Sequence, residues 1–522
     1  MGDQSYLHMA RNSGAQGLGF DIEPPPPAKS ESADSSSASS GSVIRGRSKQ
    51  NNRSASGQAG GGGSNPEMDE FVDDTDVKYE TVKDEGMGRD QTGLIRAATL
   101  ERLVERLTHE KISDPKFRRA FLLTYRSFTT PLQLIEALVI RYDPTALTKT
   151  EVITTRRVRV VGVMKAWMED HFFDFAEGEL QQALQSFLEK MEMTMSGSAK
   201  QLRRVFEKSQ EKWAEQQKAI RSNEEANESS EDDQAANILK TQGWEKLPTK
   251  QIAEQMTLLE SQIYCAILPK ECISWNKKDK ETLAPNISQM IHQFNRFSGW
   301  VTAQMVQKVY KKDRIDLLKR FIDLMEELQT MNNFNGMMEV LSGINSSSVR
   351  RLKKTFAELD ADYSKRFEKI EELLAHKLSY KVYREHLHQI NPPCVPYMGV
   401  YLTDLTFMSD GNPDTVDGGL INFKKRRLIA EVIDEIQQYQ VRYLKLQQVP
   451  SLKKWLLNLE TLDEDVAYKW SRRVEPKDDE AIIAEFIKSE ESLLKQIAEY
   501  EAKAAQLEKE IEREEAKKEA AG

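Results

Sequence analysis

At 522 residues the chain has room for two or three domains, and 39% hydrophobic with 30% charged residues is ordinary for a protein that buries cores in water. A net charge of -9, with basic residues scattered among acidic ones, excludes the concentrated positive face that nucleic acid requires. Cys265, Cys272 and Cys394 are too few and too widely spaced for a disulfide framework or a zinc site, which points to a reducing compartment.

The first ten residues, MGDQSYLHMA, hold no apolar signal core, and no segment reaches the ~20 apolar residues of a spanning helix. The expectation is a cytoplasmic protein that reaches membranes only through partners. Residues 1–88 are rich in Ser, Gly and Pro, with runs at Pro24–Pro27, Ser35–Ser40 and Gly60–Gly63. That composition predicts a disordered head with no core of its own.

The pattern changes at Leu94. Leu100, Leu103, Val104 and Leu107 recur at helical spacing, as do Phe117, Phe121, Leu122 and Tyr125 after Asp114-Pro115. Leu134, Ile135, Leu138 and Val139 follow Thr130-Pro131, where proline suits a first helical turn. Strand alternation is nearly absent, so residues 89–215 read as one helical domain. Residues 216–246 read as a linker, acidic at EEANESSEDDQ, and residues 247–477 as a second helical domain. One interruption, NPPCVPYMGVYLTDLTFMSDGNPD (391–414), cannot be one straight helix, because Pro392, Pro393 and Pro396 open it and Gly411-Asn412-Pro413 closes it.

Residues 478–522 change character again. Ile483, Phe486, Leu493, Ile497, Tyr500, Ala504, Leu507 and Ile511 fall on a four-three spacing, with Glu490 the polar intruder. Such a seam predicts a C-terminal coiled-coil helix that pairs with a second copy of the chain or with a helical partner.

The residues exclude several chemistries. His386 and His388 point apart on a helix, no serine sits in a nucleophile elbow, and no glycine loop with a lysine cradles phosphate. No cofactor, metal site or catalytic constellation is expected.

Particular words go further. LPTKQIAEQMTLLESQIYCAILPKE (247–271), FNRFSGWV, NNFNGMMEVLSGINSSSVRRLKKTF (332–356), INPPCVPYMGVYLTDLTF (390–407) and GLINFKKRRLIAEVIDEIQQYQ (419–440) resemble the catalytic domain of Ras-family guanine-nucleotide exchange factors, in the family's order. TLERLVERLTHE and FLLTYRSFTTPLQLIEAL resemble the exchanger motif domain that precedes it. The resemblance implies an all-α protein of two helical domains, the second a bowl with a projecting helical hairpin; the C-terminal coiled-coil helix rests on its heptad spacing alone. It implies an exchange factor that releases GDP from a Ras-family GTPase, Ras or Rap, without covalent chemistry. An inactive scaffold that assembles partners through the tail is the alternative.

By the same resemblance, Tyr397 and Met338 form an apolar floor for the GTPase's second switch, and Asn345 hydrogen-bonds to that switch's backbone or arginine. Thr403, Asp404, Thr406, Asp410 and Asn412 lie along the hairpin, with Asp410 nearest the phosphate site, and Asn295 and Tyr380 line the bowl. Where a well-known family member carries leucine and glutamate on the hairpin, this sequence has Thr406 and Asp410, with Phe407 next door as an apolar substitute. His292 replaces an arginine. The motif domain is expected to pack against the hairpin and steady it.

Overall fold

The computed structural model describes residues 73–82, 90–143, 150–176, 178–222, 230–476 and 480–519. Helices dominate them, as the all-α expectation requires.

The N-terminal unit opens on two antiparallel strands, β1 (Val77–Val82) and β2 (Asp90–Ala98), with Val77 opposite Ala98. Five helices follow: α1 (Leu100–Leu107), α2 (Pro115–Thr124), α3 (Pro131–Tyr142), α4 (Thr150–Asp170) and α5 (Glu179–Ser222). Side-chain oxygens fix the starts of the first three. Thr99, Asp114 and Thr130 accept from backbone N–H groups that a helix leaves unpaired, and Thr130 forms a reciprocal box with Gln133. The apolar stripes read from the sequence are the buried ones, among them Leu103, Phe121 and Leu138. Asp174 is buried among them, yet its carboxylate accepts from Tyr125 Oη at 2.6 Å, Trp167 Nε1 at 2.8 Å and Arg126 Nε at 2.7 Å. A buried charge so fully paired organises a core rather than breaking it.

The acidic linker contains a docked helix, α6 (Ser230–Thr241), whose Asp232 accepts from the Ser451 backbone N–H at 2.7 Å. The second unit holds α7 (Thr249–Ala266), α8 (Pro285–Gln307), α9 (Lys311–Thr330), α10 (Phe334–Ile344), α11 (Ala361–Leu373), α12 (Lys377–Leu387) and α13 (Met398–Gly411). Strands β3 (Thr415–Val416) and β4 (Leu420–Asn422) then lead into α14 (Phe423–Gln438), α15 (Pro450–Leu457) and α16 (Glu464–Val474). Helices α8 and α10 lie against each other where Gly343 has no side chain; a methyl there would meet Ser298 O and Val301 Cβ at 2.6 Å.

The strands correct the sequence reading. β2 pairs with β4, so β1-β2-β4-β3 form one four-stranded sheet that joins the N-terminal unit to the turn between α13 and α14. Strands of two to nine residues are too short or too irregular to show a period of two. The turn itself is held by Asp417, Gly418 and Gly419, all at positive φ, which glycine adopts freely. β1 also corrects the C-terminal end of the head, since residues 77–82 form a strand; residues 1–72 lie outside the described residues. Glu80 on β1 pairs with Arg427 on α14. Removing residues 1–72 is therefore expected to leave the melting temperature unchanged, whereas removing residues 1–88 lowers it by several degrees. Equal melting of the two truncations, measured by circular dichroism, would show β1 to be dispensable.

The tail is one helix, α17 (Glu480–Glu519). Glu490, the break in the heptad seam, reaches back to Arg473 on α16 at 2.7 Å. Phe486, Leu493, Ile497 and Tyr500 remain exposed.

Candidate GTPase-binding site

The site is built where the proline-rich segment is stitched to the start of α10. Val395 O accepts from the N–H groups of Phe334 at 3.0 Å and Asn335 at 3.2 Å, and Val395 N–H donates to Asn332 O at 3.0 Å. Residues that lack N–H groups, or that precede proline, cannot continue a helix, so this stretch borrows its partners from a neighbour. It delivers Tyr397 to the start of α13, where the Tyr397 N–H donates to the buried Tyr383 hydroxyl at 2.8 Å. The Tyr397 ring stands 5.7 Å from Phe294 and 5.8 Å from Tyr380. Gly399 makes room for that ring, because a methyl at 399 would overlap it.

Tyr380 reaches this group from an unusual backbone. Leu378, Ser379 and Tyr380 have φ of 51°, 54° and 63°, a left-handed turn at the start of α12 that L-residues rarely adopt. Burial pushes the Tyr380 hydroxyl pKa up. Arg384 ties the turn down, its Nε donating to Ser379 O at 2.9 Å.

Helix α13 has two faces. Met398, Tyr401, Leu402 and Leu405 are buried at spacings of three and four. The opposite stripe carries Thr403, Thr406, Phe407 and Asp410, of which Phe407 (70% exposed) and Asp410 face solvent. The two threonine hydroxyls fold back on their helix, Thr403 onto Gly399 O at 2.7 Å and Thr406 onto Leu402 O at 2.8 Å. Asn412 bonds Met408 O at 3.0 Å, closing the helix. Asp404 is held within the protein: both its oxygens accept from the Arg384 guanidinium at 2.8 Å. Sequence reasoning did not single out Arg384; its place one helical turn after Tyr380 was the one signal for it.

On α10, Met338 is 7% exposed, so most of its side chain packs in the core. Asn345, seven residues on and on the same face, ends the helix, and its Oδ1 accepts from Arg350 Nε at 2.7 Å. Asn295 and His292 are exposed on α8, His292 at 3.5 Å from the Glu281 carboxylate. The structure thus brings Tyr397 and Tyr380 together around Phe294, which the sequence did not single out, and places Asn345 in a separate polar group with Arg350.

Beneath the site lies a buried acid pair. Asn335 Nδ2 donates to Glu260 Oε2 and Glu339 Oε1, both at 3.0 Å, while Glu339 Oε2 has no partner. Burial raises both carboxyl pKa values above the usual range, and the neighbouring Glu260 charge raises Glu339 further. The folded chain therefore holds protons that the unfolded chain releases. Their contribution to stability is fully present below the usual carboxylate range and is lost as pH rises toward the folded values, at about 1.4 kcal/mol per pH unit for each retained proton. Glu339→Gln should widen its stability advantage over the parent as pH rises above the usual carboxylate range. A gap independent of pH in denaturant titrations would mean that the pair is not protonated.

The thiols are ordinary core groups: Cys272 and Cys394 are buried, and burial pushes the Cys272 pKa up to about 12. Among the described residues no group of His, Cys, Asp and Glu is arranged to hold a metal ion, and no helix is long and apolar enough to cross a membrane.

Residues 251–427 match the RasGEF domain, and residues 94–189 match the RasGEF N-terminal motif. The chain belongs to the RasGEF-domain family. It is 32% identical over 470 residues to Ras guanine nucleotide exchange factor Y of Dictyostelium discoideum, covering 78% of this chain and 30% of that relative. It is 34% identical to Ras guanine nucleotide exchange factor A of the same organism, covering 74% and 66%, and 30% identical to Drosophila melanogaster Protein son of sevenless, covering 74% and 27%. The chain therefore spans less than two thirds of the length of these relatives.

The RasGEF match contains all ten candidate residues and stops inside α14. That helix is where the N-terminal motif takes hold. Phe423, fully buried, stands 4.6 Å from Phe117 and 6.5 Å from Phe121 on α2. Arg426 donates to Ser127 Oγ at 3.1 Å and pairs with Asp414 at 2.9 Å, and Arg119 of α2 pairs with Asp434. The hairpin of α13 and α14 is thus gripped by the N-terminal unit through sheet, rings and charges, as the resemblance led one to expect.

Proposed function

We propose that this chain is a guanine-nucleotide exchange factor that promotes GDP release and GTP loading on a Ras-family GTPase, forming no covalent bond. What supports this reading is the hairpin: a helix that buries one stripe and offers Phe407 and Asp410 to solvent, held from behind by the N-terminal motif. A GTPase holds its nucleotide through Mg²⁺, backbone amides and a lysine around the phosphates. An exposed carboxylate brought there competes with phosphate, and an exposed ring displaces the switch that covers it. Tyr397, Tyr380, Asn345 and Asn295 form the surface for the second switch, with the buried Met338 as the apolar floor behind it, and Thr403, Thr406 and Asn412 lie along the hairpin. Asp404 acts from within, through Arg384.

Exchange needs only that nucleotide-free GTPase bind better than loaded GTPase; nucleotide and exchange factor then weaken each other by the same factor. The protein is cytoplasmic on this reading and is brought to membranes by partners. The exposed seam on α17 pairs with a second copy of the chain or with a helical partner, since a heptad face buries its apolar residues only against another helix. The purified full chain should accelerate release of fluorescent GDP from at least one member of a Ras and Rap panel. No response across the panel would favour a scaffold that keeps the fold without the activity. A monomer mass by light scattering at high concentration would remove the dimer.

A further inference from the structure

The Asn345 amide is held on one side only. Arg350 Nε donates to its Oδ1 at 2.7 Å, and among the described residues its Nδ2 has no acceptor. A guanidinium carries five N–H groups and no acceptor, so an amide beside it must turn its oxygen toward it. Flipping the amide would set N–H against N–H. The guanidinium itself has little freedom, because it pairs with Glu371 on α11 and lies 5.1 and 5.2 Å from the ring centroids of Phe356 and Phe367. A charged, planar group held by a carboxylate and two rings is a firm support.

We infer that Asn345 meets the GTPase as a hydrogen-bond donor through Nδ2, and that Arg350 is the positioning residue that sets this polarity. The group recognised is then an oxygen acceptor, a backbone carbonyl or a carboxylate, and not a cationic side chain. A guanidinium or ammonium from the GTPase would find Oδ1 already engaged and the Arg350 charge close by. This inference rests on the exchange reading and on Asn345 lying at the interface. It chooses between the two partners, backbone or arginine, that the family resemblance leaves open for this residue.

The test uses the full chain, a responsive GTPase, GDP-release rates, affinity for the nucleotide-free GTPase and thermal melting. Asn345→Asp is nearly isosteric and keeps an oxygen facing Arg350, so its melting temperature should hold or rise. It lacks the donor, and its affinity should fall about tenfold, as far as that of Asn345→Ala. Arg350→Gln, which carries both donor and acceptor and lets the amide turn, should lose several-fold in affinity, while Arg350→Lys, still only a donor, restores most of it. Parental or better affinity for Asn345→Asp beside an impaired Asn345→Ala would overturn the inference, because Oδ1 would then be the working atom. Equal affinity of Arg350→Gln and the parent would remove Arg350 from the account. A parental rate for Asn345→Ala would take Asn345 out of the interface and overturn the inference, while leaving exchange itself standing; a wild-type chain inactive on every GTPase would sink the reading on which it rests.

Discussion

Phe423→Ala should destabilise the protein by about 3–5 kcal/mol, the usual cost of deleting a fully buried aromatic ring. The ring is the first residue of α14 and fills the space between that helix and Phe117 and Phe121 of α2. No neighbour can collapse into the gap without moving one unit against the other. The effect should go beyond melting: with the hairpin unsupported, GDP release should slow even at temperatures where the variant is fully folded. Phe423→Leu, which keeps most of the volume, should recover most of both losses. Urea unfolding beside exchange rates checks this, and a loss below about 1 kcal/mol would show that the contact bears little on stability.

Tyr397→Ala should act on the other side of the ledger, on binding more than on folding. Its ring is half-buried, leaning on Phe294 and Tyr380, so truncation should cost the free protein only about 1–2 kcal/mol, less than for a ring fully enclosed. Large aromatic anchors dominate interfaces, and loss of this one should cost ~2 kcal/mol or more in affinity for the nucleotide-free GTPase, about thirtyfold. Tyr397→Phe keeps the ring and should stay within about fivefold. Melting far below the parent, with normal exchange by the folded fraction, would make Tyr397 a core residue and nothing more.

Much of this architecture can be read in the chain. Leu103, Phe121 and Leu138 recur at helical spacing and are buried, and Thr130-Pro131 starts a helix where capping chemistry says it should. Residues 391–414 are read correctly as something other than one straight helix, although the sequence does not show that Met398–Gly411, with Val400, Leu402 and Leu405, forms the regular helix α13. What escapes the sequence is pairing at a distance. Nothing near Asp404 announces that its partner is twenty residues upstream, and nothing near Asn345 says which way its amide points. Glu260 and Glu339 are hidden among many glutamates on solvated faces, and only burial distinguishes them. The sheet is invisible for a different reason. Each strand is stable only because the others exist, and they come from segments more than 300 residues apart, as the Arg96–Asp417 ion pair also shows.

That shared sheet bears on how the molecule can be cut. A fragment beginning at residue 247 would retain the whole RasGEF match, yet it would leave β4 without β2, Arg427 without Glu80 and Phe423 without its rings. An open strand edge beside an uncovered aromatic is a template for self-association. The boundaries of the matched domain and those of the cooperative folding unit therefore differ, and in a calorimeter the two units should melt as a single transition.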